Sequence, residues 1–172
     1  MSEISFTGHR ITPDGLQPDP DKIKAIVDME VPQNVERFMG IVNYLERFLS
    51  NLTTAAQPLH NLTKHNVHWT WSEAQANSFN EVKKLVTSAP ALAYYDADQP
   101  LFLENDASEY GIGSTLLQNG RPIAFTSRVL TDTECRYAQI EKEMLAMTYG
   151  LEKFNQCFVK IKTSARNIQN VH

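Results

Sequence analysis

The chain has 172 residues, 42% of them hydrophobic and 21% charged, with 16 Lys and Arg against 20 Asp and Glu for a net charge of −4. That is enough for one large soluble domain or two small ones. No apolar run approaches the roughly 18 residues that span a bilayer, which excludes a membrane helix, and the acidic balance argues against a free-standing nucleic-acid binder, a class that is usually basic. The opening MSEISFTGHR lacks the apolar core of a secretory signal. The expectation is a non-secreted, intracellular protein, cytoplasmic or nuclear, with Cys135 and Cys157 as reduced thiols rather than a disulfide.

Ile4–Phe6 and the segment around Arg10–Thr12 read as a short β-hairpin, followed by a loop in the turn-rich TPDGLQPDPD. Asp19 or Asp21 then caps a helix over Lys22–Met29, with Pro20 early in it. Val31-Pro32 ends that helix. A second is expected from near Gln33 to about Leu49, because Val35, Phe38, Val42, Leu45 and Leu49 recur at the helical period. A shorter helix over Ala55–Thr63 follows, interrupted at Pro58. The aromatic segment His68–Trp71 is strand-like. Ser72 and Gln75 form a capping box opening a helix with Ala76, Phe79, Val82 and Val86 on one face.

After an extended connection from Pro90 to Pro100, the pattern becomes a three-stranded meander. Its strands are Leu101–Asp106, Gly113–Gln118 and Arg121–Leu130, and Asn119-Gly120 is a two-residue hairpin signal between the last two. Gly111-Ile112-Gly113 reads as a bulge or tight connection, and lacks the Gly-Lys-Ser/Thr of a phosphate loop. Thr131 or Thr133 then caps a helix reaching about Phe154, with Ile140, Met144, Met147, Leu151 and Phe154 as its buried face. The fold class is therefore mixed α+β: a hairpin and a helical region, then the meander and a helix.

The chemistry of interest lies in LFLENDASEYGIGSTLLQ and the helix beyond it. Asp106 ends an alternating apolar strand, and Glu141 and Glu143 follow on the next helix. A strand Asp and a helix Glu are the beginnings of a hard-cation site. Taken singly, Asp106 is a turn-former and each Glu a solvated helix residue. The five histidines have no zinc-like spacing with the cysteines. Trp69 and Trp71 fit a hydrophobic cap better than a base-stacking platform.

Seven segments occur in one order: FTGHRITPDGLQPDPDKIKAI, FMGIVNYLERFL, PLHNLTK, WTWSEAQANSF, ENDASEYGIGSTLLQ, GRPIAFTSRVL and EKEMLAMTYGLEKF. Together they resemble the Pol polyprotein of Gypsy/Ty3-type LTR retrotransposons, from the end of the reverse transcriptase palm through the thumb and connection into the RNase H-like domain. The resemblance divides the chain into residues 1–89 (palm end, thumb and connection), 90–156 (the N-terminal part of an RNase H-like domain) and a divergent tail, 157–172.

That resemblance implies RNA-directed DNA synthesis and metal-dependent hydrolysis of RNA in RNA–DNA hybrids as the parent reactions. Mg²⁺ or Mn²⁺ is the implied cofactor, with Asp106 and Glu143 as catalytic metal ligands. Helix geometry agrees on Glu143: it lies roughly 60° from the centre of the expected buried face, and Glu141 about 100° away. The implied partners are an RNA–DNA hybrid or a template–primer, and the remainder of Pol; no membrane is implied. Arg37, Asn43, Tyr44 and Arg47 are the residues placed to touch nucleic acid, and Gly111–Ser114 would lie near the scissile strand.

The chain also departs from the family. No Tyr-x-Asp-Asp polymerase motif occurs, and residues 157–172 contain no Asp or Glu to supply a third carboxylate. Thr163-Ser164 stands near where a Thr-Asp would be. Asn105 replaces the usual Thr, and Glu46 falls where a basic residue is commoner. Catalysis is therefore expected to be incomplete in this chain. A non-catalytic, retrotransposon-derived remnant binding nucleic acid or protein is the alternative.

Overall fold

The computed structural model describes residues 4–6, 8–64 and 67–158. The turn-rich N-terminal stretch is more ordered than a hairpin and loop. Three antiparallel strands form, β1 (Ile4–Phe6), β2 (His9–Thr12) and β3 (Gly15–Pro18), paired in that order. The Pro13-Asp14 turn folds Gly15–Pro18 back onto β2, with Ile11 opposite Leu16.

Helix α1 (Pro20–Val27) is capped by the Asp19 side chain, and α2 (Val35–Asn43) by Asn34, whose Oδ1 accepts from the Arg37 N–H at 2.8 Å. The long helix expected to reach Leu49 stops at Asn43. The chain turns at Tyr44-Leu45 and winds into a 3₁₀ turn, Glu46–Phe48. Leu45, Phe48 and Leu49 are buried all the same, so the apolar pattern survives while the tighter turn re-aims Glu46. The next helix is likewise two pieces, α3 (Leu52–Ala55) and α4 (Gln57–Leu62), separated at Ala56, with Pro58 in the first turn of α4 where its missing N–H costs nothing.

His68–Trp71 forms no strand; Trp69 stacks on Trp71, and Trp71 meets Phe79 edge-on at 5.9 Å, closing the end of the helical core. The capping box at Ser72 opens α5 (Glu73–Thr87), whose Phe79, Val82 and Val86 are buried. They pack with Ile26, Phe38, Val42, Leu45, Phe48 and Leu59 into one core. Leu92 joins that core and pairs with Leu16 through two backbone hydrogen bonds of 2.8 Å, so the extended connection adds an isolated bridge to the N-terminal sheet.

The meander forms as β4 (Phe102–Ala107), β5 (Gly111–Gln118) and β6 (Arg121–Val129), antiparallel in the order β4-β5-β6. Asn119 and Gly120 both hold positive φ, 51° and 71°, as the tight hairpin between β5 and β6 demands. Gly111 and Gly113 lie inside β5 rather than forming a bulge; the register shift falls at Leu116/Leu117 instead. Gly111 is needed for close approach, since a Cβ there would stand 2.6 Å from Thr53 Cγ2.

The Thr131–Glu134 box also forms, with the Thr131 N–H donating to Glu134 at 2.8 Å. It caps only a 3₁₀ turn, Glu134–Arg136, and the helix α6 (Gln139–Lys153) begins beyond it. The face of α6 is the largest correction. Of the expected face only Phe154 is buried; Ile140, Met144, Met147 and Leu151 are 46–65% exposed, whereas Lys142, Ala146 and Gly150 are buried. Small residues win that face because the helix presses against the sheet: a Cβ on Gly150 would stand 2.5 Å from Ser114 Oγ, and Ser114 Oγ donates to the Ala146 carbonyl at 3.0 Å.

Candidate functional site

β4 is an edge strand of its sheet among the described residues. Strand alternation sends Leu103, Asn105 and Ala107 toward α6, and leaves Phe102, Glu104 and Asp106 exposed on the opposite side. Asn105 Oδ1 accepts from Ser114 Oγ at 2.9 Å, which ties β4 to β5 beneath Gly150. The residue that departs from the usual Thr thus has a place in the packing.

Glu143 and Asp106 come to the same side of the molecule at the open edge of β4. Both line one cavity of about 320 Å³, together with Asn105, Ala107, Met144 and Met147. Gln139 holds this arrangement from above: its Nε2 donates to the Ala107 carbonyl at 2.9 Å and lies 3.4 Å from Glu143 Oε1. Lys142, one residue before Glu143, is buried and its Nζ donates to the Glu109 carbonyl at 3.2 Å, pinning the first turns of α6 to the loop after β4. Glu141 turns away and accepts from the Ala138 N–H at 2.8 Å, closing the helix start. Sequence reasoning did not single out Gln139 or Lys142. The signal was present in Gln139, which lies one helical turn before Glu143.

Two exposed carboxylates converging on one cavity are the donor type that Mg²⁺ or Mn²⁺ takes. In number they fall short: among the described residues no group of three His, Cys, Asp or Glu is placed to hold a metal ion. The residues fit such an ion in kind and supply only part of its coordination. Thr163-Ser164 lies outside the described residues.

The other named positions spread out. Asn43, Tyr44 and Arg47 line a second groove of about 520 Å³ with Tyr95, Lys153 and Phe154. Tyr44 stacks on His9 at 5.4 Å, and the Arg47 guanidinium sits 5.8 Å from the Phe48 ring centre. Burial, and then the Arg47 charge, lower the His9 pKa. Arg37, exposed at the start of α2, does not line that groove. Gly111 and Gly113 line small recesses that Asp106 also lines. Cys135 and Cys157 are not joined in a disulfide, and no helix among the described residues is long and apolar enough to cross a membrane.

Known proteins give this geometry a context. Residues 71–165 match the model of the RNase H-like domain found in reverse transcriptase. The retrovirus-related Pol polyproteins of the Drosophila melanogaster transposons 297 and opus are 35% and 37% identical, each over 88% of this chain. The Tf2-3 transposon polyprotein of Schizosaccharomyces pombe is 29% identical over 98% of it. This chain spans 15%, 17% and 14% of those relatives' lengths, respectively.

In fold, the chain resembles the foamy viral protease-reverse transcriptase solved in complex with an RNA/DNA hybrid, with a TM-score of 0.78 and 23% identity over 92% of this chain and 22% of that one. A related complex with double-stranded DNA gives 0.79 and 24%, over 91% of this chain and 29% of that one. The family match covers more than half of the sequence, and the chain belongs to the RNase H-like domains found in reverse transcriptase, of the Ty3/Gypsy retrotransposon type.

Proposed function

We propose that this chain engages RNA–DNA hybrids as the RNase H-like part of a retrotransposon reverse transcriptase, and that Asp106 and Glu143 are two of the carboxylates that hold its Mg²⁺ or Mn²⁺. The observation that carries this reading is the convergence of Asp106 and Glu143 on one cavity around the edge of β4. A bound divalent cation would activate water and stabilise the leaving oxygen of a phosphodiester. The protein's own part is to orient the two carboxylates, through Gln139 on α6 and the Lys142–Glu109 contact.

The exposed stripe Ile140, Met144, Met147 and Leu151 flanks the same cavity beside the unpaired edge of β4. It favours a further part of Pol docking there and completing the coordination. The groove lined by Asn43, Tyr44, Arg47 and Lys153 is the best candidate for positioning contacts to a phosphate backbone.

A hybrid-binding titration tests the reading. A labelled RNA–DNA hybrid is expected to bind the chain with an affinity that falls as salt rises. No binding at low salt, or affinity indifferent to an Arg47→Ala, Lys153→Ala double substitution, would contradict it. Cleavage by this chain in Mn²⁺ is expected to stay at the level of its Asp106→Asn variant, because two carboxylates do not fix a pair of ions about 4 Å apart.

A further inference from the structure

Where α3 meets the sheet, hydrogen bonds close the seam. Thr53 Oγ1 donates to Ser127 Oγ at 2.7 Å, and Thr54 Oγ1 lies 3.2 Å from Ser108 Oγ. Along α4 the seam opens into a cavity of about 370 Å³, a volume within the range of roughly 300–1,000 Å³ that small-ligand sites occupy. It shares no lining residue with the cavity of Asp106 and Glu143. One side is lined by Gln57, His60, Asn61 and Lys64, which carry the i, i+3, i+4, i+7 spacing of a single helix face. The opposite wall includes Tyr110, Val129 and the buried Leu130, and Tyr110 is 42% exposed.

The polar side is unsatisfied from within the protein. Gln57, His60 and Asn61 are each partly buried, and none of the three side chains has a hydrogen-bond partner among the described residues. Each amide carries both a donor and an acceptor. Burial lowers the His60 pKa, so its ring is neutral at pH 7 and also offers one donor and one acceptor. The Lys64 charge is matched, since its Nζ lies 3.8 Å from Asp132 and both side chains are exposed. A phosphate therefore finds no unmatched cation here. A flat, neutral heterocycle with donors and acceptors along its edge matches the amides and the imidazole, and its face matches the aromatic and apolar wall.

We infer that this cavity binds one unpaired nucleobase, with the Gln57 and Asn61 amides reading its edge and Tyr110 against its face. Adenine is the preferred base, because Asn and Gln amides pair with it through two hydrogen bonds. The base site stands independently of the hybrid-binding reading; only a base supplied by a bound strand rests on that reading.

Two measurements test the inference on the wild-type chain, on a Gln57→Leu, Asn61→Leu double variant of similar side-chain size, and on Tyr110→Leu. In saturation-transfer NMR with adenosine alone, the base protons are expected to receive more magnetisation than the ribose protons, and the signal is expected to fall in both variants. In a binding titration, a labelled RNA–DNA hybrid carrying one unpaired adenosine is expected to bind the wild type about tenfold more tightly than the fully paired hybrid, the effect of one stacked and hydrogen-bonded base. Both variants are expected to lose that advantage and to bind the paired hybrid as the wild type does, which separates loss of the site from loss of the fold.

An advantage that the variants lose assigns the site to a base of the bound strand, and adenosine transfer without such an advantage assigns it to a free nucleoside or nucleotide. Absence of both in the wild type overturns the inference, as does adenosine transfer that is equal in the wild type and both variants. A wild type that binds neither hybrid overturns the hybrid-binding reading alone, because the adenosine measurement still decides this one.

Discussion

Glu134 shows how one side chain can fix a loop. Both of its carboxylate oxygens accept from Arg128 at 2.8 Å, and one also accepts from the Thr131 N–H. The Arg128 contact, reinforced by Thr131, lowers its pKa to about 2. A carboxyl group depressed in the fold stabilises it above the ordinary carboxylate range, and that contribution is lost as pH falls toward 2. Thermal melts of the wild type and Glu134→Gln are therefore expected to differ at pH 7 and to converge as pH drops from about 4.5 to about 2. A difference that stays constant across that range would show that the ion pair is not the cause.

At the scale of elements, the junction between the helical core and the sheet turns on Glu46. Its Oε1 accepts from the Ser127 N–H at 2.9 Å and from Thr126 Oγ1 at 3.3 Å. Thr126 Oγ1 lies 3.0 Å from the Tyr149 hydroxyl, which donates to the Ser127 carbonyl at 3.2 Å. The 3₁₀ turn Glu46–Phe48, β6 and α6 thus share one polar network, and the carboxylate covers part of an edge strand. Glu46→Leu is expected to cost about 1–3 kcal/mol in urea unfolding by stranding the Ser127 N–H, while Glu46→Gln, which keeps the acceptor, costs less. Equal losses in the two variants would show that the side chain acts by shape rather than by hydrogen bonding.

This network also explains what the sequence could and could not reveal. Local chemistry was legible wherever it acts locally: Ser72 and Gln75 cap α5, Asp19 caps α1, and Asn119-Gly120 makes the hairpin. Glu46 was visible only as a departure from a familiar pattern, because its partners Thr126 and Ser127 lie 80 and 81 residues away in β6. Thr131 was expected to cap the last helix, but its hydroxyl accepts from the Glu134 N–H at the start of a 3₁₀ turn ahead of that helix.

Over the whole molecule, Asp106 and Glu143 line one cavity because of packing rather than periodicity. The apolar residues of α6 suggested a buried face on Ile140, Met144, Met147, Leu151 and Phe154, yet only Phe154 is buried, and Ala146 and Gly150 face the sheet because only small residues allow that approach. The rotation leaves the large residues outside, beside the open edge of β4, with Glu143 among them at the mouth of the cavity. The motif order around Asp106 and the Glu-Lys-Glu helix is what singled the two residues out. The cavity that joins them, and the role of Gln139 in holding it, depend on how α6 sits across the sheet.

The central claim is that Asp106 and Glu143 hold a divalent cation together. An electron paramagnetic resonance titration of Mn²⁺ against the wild-type chain, Asp106→Asn and Glu143→Gln tests it directly. The account predicts weak, saturable binding to the wild type and loss of bound Mn²⁺ in either single variant. Wild-type affinity retained in either variant would contradict it.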